Sequence, residues 1–299
     1  MAQKHIGKMF RQYAIPQMIG LLFNSVYLLV DGIFIGRILG RESLAAAGIA
    51  VPLMECVIAL SMAITSGSGA IISSELGRRR PKQANRTFHC ATVIALVISS
   101  AIVILSTLFT SQIASMLGAT DEILPEAAVY LRTVMSGTVF QMFSFFLGGM
   151  ARNDQKPRLA MIAMTVGAFS NIVLDWLFID VFQMGIFGAA LATAIGPLIS
   201  CAILLPSFFT GQGELRLSKD GWSFHHWKDI LVSGIPSFIL EFTIGMITFL
   251  MNRSISRHHF GEIGLAAYLL IGYAMLIWLT LYLGMAEGLQ PLFSRFEGE

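Results

Sequence analysis

The sequence predicts an all-α, polytopic membrane protein with about eight transmembrane helices, and three observations support this fold class. The 299 residues are 55% hydrophobic and only 13% charged, whereas soluble domains carry about 25% charged residues. The mean hydropathy is +0.72. Eight stretches approach or exceed the roughly 20 apolar residues that a helix needs to cross a bilayer. Lipid offers open backbone groups no hydrogen-bond partner, and the alternating pattern of a membrane β-barrel is absent, so each stretch is predicted to be a helix.

The predicted spans follow one another along the chain with one long polar connection. They lie at about residues 14–36, 51–76, 89–110, 129–150, 159–180, 186–209, 230–252 and 263–287. The first is too long for a cleavable signal peptide and lacks an A-x-A site, so it is predicted to remain as helix one. The polar connection at 210–229 carries Trp222, Phe224 and Trp227. These aromatic residues fit either an amphipathic segment at the interface or a plain tether between two helical bundles.

Basic residues predict the orientation of the chain. With the N-terminus inside, 15 of the 20 Lys and Arg residues, Arg152 among them, fall on inner segments and five on outer segments. The positive-inside rule then places the N-terminus in the cytoplasm. The run RRRPK at 78–82 directly follows a predicted span and is interpreted as a topology anchor rather than a nucleic-acid patch. The net charge of +2 implies no acidic partner.

No pattern in the sequence supports an enzyme. The three cysteines, Cys56, Cys90 and Cys201, have unrelated spacings and form neither a disulfide framework nor a metal site. The histidine pairs at 225–226 and 258–259 are interpreted as solvated or interfacial residues. A nucleophile with a base, a Gly-rich phosphate loop and an HExxH motif are all missing from the sequence. We therefore expect no catalytic residue, no cofactor and no nucleic-acid partner.

The chain contains an internal repeat. At a shift of 220 residues Pro16 meets Pro236, and at 221 Gly67 meets Gly288. A first unit of six helices returns the chain to its starting side, so the two units enter the membrane in the same sense, as in parallel-repeat transporters. We expect an N-lobe bundle at 1–210, a cytoplasmic linker at 211–229 and a partial C-lobe at 230–299. The partial C-lobe holds helices seven and eight, and four more would complete the second unit.

Two carboxylates give the best indication of function. Asp31 and Asp175 are each the sole charge in an apolar stretch long enough to cross the bilayer. An acid at that depth costs about 2.5–3.5 kcal/mol on insertion scales and marks an ion or substrate path. Each acid lies about 24–26 Å from the inner end of its helix, at 1.5 Å per residue, so the two share one layer. The alternative is a carboxylate that reaches the interface or bonds a neighbouring helix.

Polar neighbours extend this predicted site. Asn171 precedes Asp175 by four residues, Tyr27 precedes Asp31 by four, and Thr193 reaches a similar depth from helix six. Oxygen donors of this kind suit a proton or a hard cation, so Asn171, Asp175 and Thr193 are predicted to bind Na⁺ or to accompany proton binding. The alternative is that Asn171 and Thr193 only join helices by hydrogen bonds.

Other residues have weaker predictions. Glu241, five residues after Pro236 in helix seven, is expected either to line a substrate cavity or to bond backbone groups that the proline frees. Glu55 is expected at the membrane interface. Small residues at 188–196, with Gly67, are expected to let helices approach closely.

Four segments together resemble one family. They are VDGIFIGRILGRESLAAAGIA at 30–50, ARNDQKPRLAM at 151–161, SNIVLDWLFI at 170–179 and MGIFGAALATAIG at 184–196. In order and spacing they are similar to the multidrug and toxic compound extrusion (MATE) family, most of all to its bacterial DinF-like and MepA-like branch. The sequence departs from this family at Gln155, where a glycine is usual.

The resemblance implies a twelve-helix antiporter with two six-helix lobes, which exports cationic amphiphilic compounds in exchange for H⁺ or Na⁺. It implies an ion site at Asp31, Asp175, Asn171 and Thr193, with Ala189 offering a backbone carbonyl. It also implies a substrate cavity lined by Asn24, Tyr27 and Glu241. The resemblance also implies a bacterial inner membrane as the location, with small organic cations and the lipid bilayer as partners. Two alternatives stay open, namely a flippase for a lipid-linked glycan and a non-transporting membrane protein.

Overall fold

The computed structural model describes residues 2–210, 213–217, 226–257 and 261–298, and this part of the chain contains helices and no strand. The fold class predicted from the sequence is therefore confirmed. In chain order the helices are α1 (Ala2–Phe34), α2 (Arg41–Gly77), α3 (Pro81–Leu108), α4 (Thr110–Met116), α5 (Leu124–Ser136), α6 (Thr138–Asn153), α7 (Pro157–Asp175), α8 (Gly185–Leu204), α9 (Pro206–Phe209), α10 (Trp227–Arg257) and α11 (Gly261–Gly298).

Several of these helices are long and apolar enough to cross a membrane. Five described segments meet that criterion, and a sixth does so if α5 and α6 count as one span bent by 42°. The sequence predicted one straight helix at 129–150. The bend falls at Gly137, between α5 and α6, where a glycine weakens the helix. α10 and α11 cover the predicted seventh and eighth spans, and the total of eight spans stays a prediction.

The two helices that carry the membrane acids both end in a widened turn. α1 continues as a π-helix at Ile35–Leu39, and α7 continues as a π-helix at Trp176–Val181. Asp31 lies one turn before the first π-helix, and Asp175 directly precedes the second. Turns of this type interrupt the regular backbone ladder and are frequent at functional sites.

Two apolar clusters fill the helical bundle. The first is built around the stacked rings of Phe88, Phe146 and Phe208, which join α3, α6 and α9. The second packs Ile35 and Ile179 from the two π-helices against small residues of α2 and α8, together with aliphatic residues of α5. The two acids lie beside this second cluster. The packing of the π-helices thus fixes the positions of the acids.

Glycines let α10 and α11 pack directly against the earlier helices. A Cβ on Gly67 of α2 would lie 2.8 Å from the backbone nitrogen of Gly234 in α10. A Cβ on Gly288 of α11 would lie 2.9 Å from Cα of Ala14 in α1. Under the repeat shift of 220 or 221 residues, Gly67 corresponds to Gly288 and Gly234 to Ala14. The contact of α2 with α10 and the contact of α11 with α1 therefore use corresponding positions of the two repeat units, as expected for a parallel repeat.

The start of the predicted linker is bound to the helices that precede it. The Asp154 Oδ1 atom accepts hydrogen bonds from the backbone N–H groups of Glu214 and Leu215, at 2.6 and 3.0 Å. Asp154 Oδ2 forms an ion pair with Lys156 Nζ at 2.7 Å. A Cβ on Gly213 would overlap the Asp154 carboxylate. Residues 213–217 therefore dock on the α6–α7 loop, and Trp222 and Phe224 lie outside the described residues.

The backbone conformation at Gln155 shows how the loop accommodates a residue other than the usual glycine. Its φ of +60° lies in the left-handed region, which glycine adopts without steric cost. The loop keeps the turn that a glycine would make, and Asp154 still binds the linker. The substitution at Gln155 therefore leaves this loop intact, at a backbone cost of about 1–2 kcal/mol.

Candidate functional site

Asp31 and Asp175 lie next to one another near the C-terminal ends of α1 and α7. Asp31 lies on α1 and is 8% exposed, and Asp175 lies at the end of α7 and is fully buried. Their carboxyl groups interact directly with each other. The predicted common depth of the two acids therefore brings them into contact, although they come from distant parts of the sequence.

Several polar atoms around this pair have no hydrogen bond. Within the described residues, both oxygens of Asp175, Oδ1 of Asp31 and both side-chain polar atoms of Asn171 have no partner of normal geometry. A buried polar atom without a hydrogen bond costs about 1–3 kcal/mol. Two carboxylates and an amide supply oxygen ligands, so the residues present fit a proton or a hard cation such as Na⁺.

α7 and α8 pack closely where Asn171 faces α8. A Cβ on Gly167 would lie 2.9 Å from the carbonyl oxygen of Gly196 and would overlap the Ser200 hydroxyl. Ser200 Oγ donates a hydrogen bond to the carbonyl oxygen of Ala163 at 2.9 Å. The small residues of α8 thus permit the close approach that the sequence predicted. They hold Asn171 against the same layer as the acids.

Thr193 joins the site from α8. Its hydroxyl donates a hydrogen bond to the Ala189 carbonyl oxygen at 3.1 Å, so this carbonyl, expected to serve a cation, already accepts the Thr193 hydroxyl. The Tyr130 hydroxyl of α5 lies beside Thr193 and near both acids. The sequence analysis missed Tyr130. In the sequence, Tyr130 lies near the outer end of a predicted span, where a tyrosine is usually an ordinary interfacial residue, so its place in the site was not apparent.

A cavity of about 320 Å³ opens beside the acids. The predicted residues Asn24, Tyr27, Asp31 and Thr193 line it, together with Tyr130 and Glu55. Glu55 therefore faces this cavity, and its expected place at the membrane interface stays a prediction. α2 turns its Glu55 side chain toward the cavity, where it adds a second carboxyl group to that of Asp31.

A smaller pocket of about 30 Å³ adjoins this cavity and contains Asn171. Asn24, Tyr27 and Thr193 line both spaces. Asp175 lines neither of them and lies behind the wall that these residues form. The predicted ion-site residues are thus brought together at the edge of the cavity that Asn24 and Tyr27 line.

Glu241 does not join this group. It lines a separate cavity of about 220 Å³, together with Arg152 and Glu287. This second cavity lies between α10, α11 and the helices of the predicted N-lobe. The sequence expectation that Glu241 lines a cavity holds, but the cavity is distinct from the one beside Asp31 and Asp175.

A bundle of apolar helices around a buried acid pair and an acid-lined cavity defines a multi-pass membrane protein. A family model described as MatE matches residues 16–177. The chain belongs to the MatE family.

The chain is similar to multidrug export proteins along nearly its whole length. It is 24% identical over 293 residues to the multidrug export protein MepA of Staphylococcus aureus, covering 97% of this chain and 64% of that protein. It is 27% identical over 294 residues to MepA of Staphylococcus saprophyticus, with the same coverage of 97% and 64%. The chain thus spans 64% of the length of the curated relatives it matches.

Solved structures show the same fold. A crystal structure of MATE in complex with MaL6 superposes with a TM-score of 0.91 at 28% identity, covering 98% of this chain and 65% of that one. An outward-facing multidrug resistance MATE family transporter of the MOP superfamily gives 0.91 at 27% identity, with the same coverage of 98% and 65%. A MOP superfamily transporter from Pyrococcus furiosus gives 0.89 at 28% identity, again covering 98% and 65%.

Proposed function

We propose that this protein is a secondary active multidrug efflux antiporter, which exports cationic amphiphilic compounds in exchange for H⁺ or Na⁺. The observation that supports this proposal is the contact of Asp31 with Asp175 beside a 320 Å³ cavity. The MepA relatives are multidrug export proteins, and their activity extends to this chain as part of the proposal. The two predicted lobes and the cytoplasmic N-terminus belong to the same proposal.

The acid pair supplies the coupling step. Two adjacent carboxyl groups in a low-dielectric site repel each other when both are ionised, and a bound proton or Na⁺ removes that repulsion. Asp31 lies on α1 one turn before a π-helix, so a change at this acid can alter the outer end of α1. Tyr27 and Asn24 face the cavity from the preceding turns of α1. Ion binding therefore changes the wall against which an exported compound rests, and lowers the affinity for that compound.

The flippase alternative is not favoured by the cavity beside the acids. A diphosphate head group needs basic side chains, because cationic residues bind phosphate oxygens. Among the described residues, none of those that line the 320 Å³ cavity is Lys or Arg, whereas Asp31 and Glu55 are acidic. An acidic, largely apolar cavity fits an organic cation instead.

The experiment is an ethidium efflux assay in a bacterial host that lacks its own pumps, with expression of the full gene product. We expect the parent protein to lower ethidium accumulation, and Asp31→Asn and Asp175→Asn each to abolish the dependence of efflux on the H⁺ or Na⁺ gradient. Asp180→Asn is the matched control, because Asp180 lies five residues after Asp175 on the same helical segment but is exposed. Unchanged, gradient-dependent efflux in both acid variants would overturn the proposal.

A further inference from the structure

A second polar cluster joins three helices, away from the Asp31–Asp175 pair. Gln17 of α1 donates a hydrogen bond from Nε2 to Glu287 Oε2 of α11 at 2.7 Å. Arg152 Nη1, at the end of α6, donates a hydrogen bond to Gln17 Oε1 at 2.9 Å. Arg152 Nη2 lies 3.8 Å from Glu287 Oε2. One amide side chain therefore links a cation on α6 to an anion on α11.

This cluster is largely shielded from solvent. Gln17 is 2% exposed, and the side chains of Arg152 and Glu287 are 9% and 22% exposed. Removal of one member of such a pair leaves the other charge uncompensated, which is strongly unfavourable. Arg152 and Glu287 therefore compensate each other's charge only while α11 stays packed against α1 and α6.

The cluster lies where α10 and α11 close against the earlier helices. Gly284 of α11 would bring a Cβ to 2.7 Å from Cα of Met18, the residue after Gln17. The Gly288 contact with Ala14 lies one turn further along the same interface. By the predicted topology this interface belongs to the cytoplasmic half of the bundle. The described conformation is thus closed on that side, and Arg152 can reach Glu287 because of this closure.

The repeat shows that packing alone does not require these charges. Under the shift of 220 residues Gln17 corresponds to Ser237, and under 221 Glu287 corresponds to Ser66. Ser237 and Ser66 therefore occupy the equivalent place in the matching contact between α10 and α2. Uncharged serines serve the close approach there, so the close approach of α11 to α1 does not by itself require the carboxyl group of Glu287.

Glu287 also lines the 220 Å³ cavity that holds Glu241. Thr65, Asn153 and Gln290 add polar groups to the same wall. In the closed conformation the Arg152 guanidinium is the cation in contact with Glu287. Separation of α11 from α6 would remove that cation and leave two carboxyl groups in one polar space.

We propose that Glu287 binds the positive charge of an organic cation on the cytoplasmic side of the protein, and that Arg152 is an intramolecular cation that takes its place while that side is closed. This inference rests on the proposed export of cationic compounds. Arg152 and the compound compete for one carboxylate. Binding from the cytoplasm therefore favours the open inner face, and return of Arg152 to Glu287 favours the closed one.

The test is the binding of tetraphenylphosphonium to the purified full gene product in detergent, measured by equilibrium dialysis. We expect Arg152→Gln to raise the affinity about fivefold or more, because the competing cation is gone. Glu287→Gln is expected to lower the affinity by a similar factor. The double variant should bind like Glu287→Gln, and Arg152→Lys should bind like the parent. Equal effects of Arg152→Gln and Glu287→Gln, no effect of either, or no binding to any form would overturn the inference.

A second measurement follows the closure itself. Spin labels at the exposed positions Lys82 and Phe296, in a background without cysteines, report the distance between the ends of α3 and α11. Arg152→Gln and Glu287→Gln should each broaden this distance toward longer values. Glu75→Gln is the matched control, because Glu75 pairs with Arg78, the residue that directly follows α2, and it should leave the distance unchanged. A parent-like distance in both cluster variants would contradict the role in closure.

The two proposals fail in different ways. If ethidium efflux depends on Asp31 while Arg152→Gln leaves tetraphenylphosphonium affinity unchanged, only the role of Glu287 and Arg152 is overturned. If Arg152→Gln raises that affinity while Asp31→Asn leaves gradient-dependent efflux intact, only the proposed coupling is overturned. Helical content and elution volume of each variant show that it has folded.

Discussion

Gly67 of α2 and Gly234 of α10 approach so closely that a Cβ on Gly67 would lie 2.8 Å from the Gly234 backbone nitrogen. A Cβ on Gly234 would in turn lie 3.1 Å from Cα of Ala63. Backbones at this distance exclude side chains from between the helices. Since helices in a membrane associate by packing rather than by a hydrophobic force, this contact depends on the absence of a side chain.

Gly67→Ala should therefore separate α10 from α2. Overpacking of this kind costs about 1–3 kcal/mol, so we expect a lower melting temperature of the detergent-solubilised protein. Gly48→Ala is the matched control on α2, because a Cβ there meets nothing within 4 Å and alanine favours the helix by about 0.5–1 kcal/mol. Equal melting temperatures for the two variants would show that the Gly67 contact does not join these helices.

The α7–α8 contact makes a second prediction, which concerns the ion site. Gly167→Ala would push α7 away from Gly196 and Ser200 and move Asn171 out of its layer. We expect a loss of about 1–3 kcal/mol in stability, together with loss of any stabilisation by Na⁺ or by low pH. Gly148→Ala of α6 is the control, because its nearest outside atom is 4.0 Å away. Retained ion-dependent stabilisation in Gly167→Ala would show that Asn171 does not take part in the site.

The docked start of the linker makes a third prediction. Asp154→Ala removes two charge-assisted hydrogen bonds to backbone N–H groups, each worth about 1.5–3 kcal/mol. Trypsin cleavage after Arg216 should accelerate about tenfold or more, since 1.4 kcal/mol is a factor of ten in an equilibrium constant. Asn85→Ala removes hydrogen bonds of an exposed, neutral side chain to the same segment and should accelerate cleavage less. Equal rates in the parent and in Asp154→Ala would contradict the docking.

The sequence was sufficient to predict the fold class and the acid pair. Apolar stretches of spanning length predict helices because the bilayer permits little else. A rise of about 1.5 Å per residue places Asp31 and Asp175 in one layer without coordinates. The repeat predicted from Pro16 and Pro236 reappears in the paired glycine contacts. These features depend on local geometry and on spacing, which a single sequence contains.

The features that the sequence did not predict arise from contacts between distant helices. In the sequence, Arg152 is only one of many basic residues predicted on the inner side. Its ion pair with Glu287 joins two distant helices, α6 and α11, and no sequence pattern indicates it. The place of Glu55 in the cavity wall was not predicted, because depth along a helix does not reveal which face a side chain occupies. The π-helices after Asp31 and Asp175 lie in continuous apolar sequence, where no periodic pattern marks a wider turn.

Tyr130 provides a fourth prediction. Its hydroxyl lies beside Thr193 and near both acids, so Tyr130→Phe removes a polar group from the site while the ring still packs. A neutral hydrogen bond contributes about 0.5–1.5 kcal/mol, and the change in stability should stay within that range. The Na⁺ concentration or the pH that half-maximally stabilises the protein should shift. Tyr282→Phe is the control, because Tyr282 is 65% exposed, and an identical ion dependence in both variants would exclude Tyr130 from the site.

The acid pair itself provides the last prediction, a double-mutant cycle on melting temperature. Asp31→Asn or Asp175→Asn alone removes the repulsion between two adjacent carboxyl groups and supplies an amide that can donate to the remaining carboxylate. Each single variant should therefore be at least as stable as the parent at neutral pH. The double variant should gain less than the sum of the two, with a coupling of about 0.5–3 kcal/mol.

The same cycle identifies the bound ion, because an ion that binds only the folded state stabilises it increasingly as the ion concentration rises above its Kd. The parent should gain stability either from Na⁺, compared with choline at constant ionic strength, or from lower pH. Both single variants should lose that gain, whereas the exposed control Asp180→Asn should keep it. Additive effects of Asp31→Asn and Asp175→Asn, with ion-dependent stabilisation retained in both, would show that the two carboxyl groups act independently and do not form one ion site.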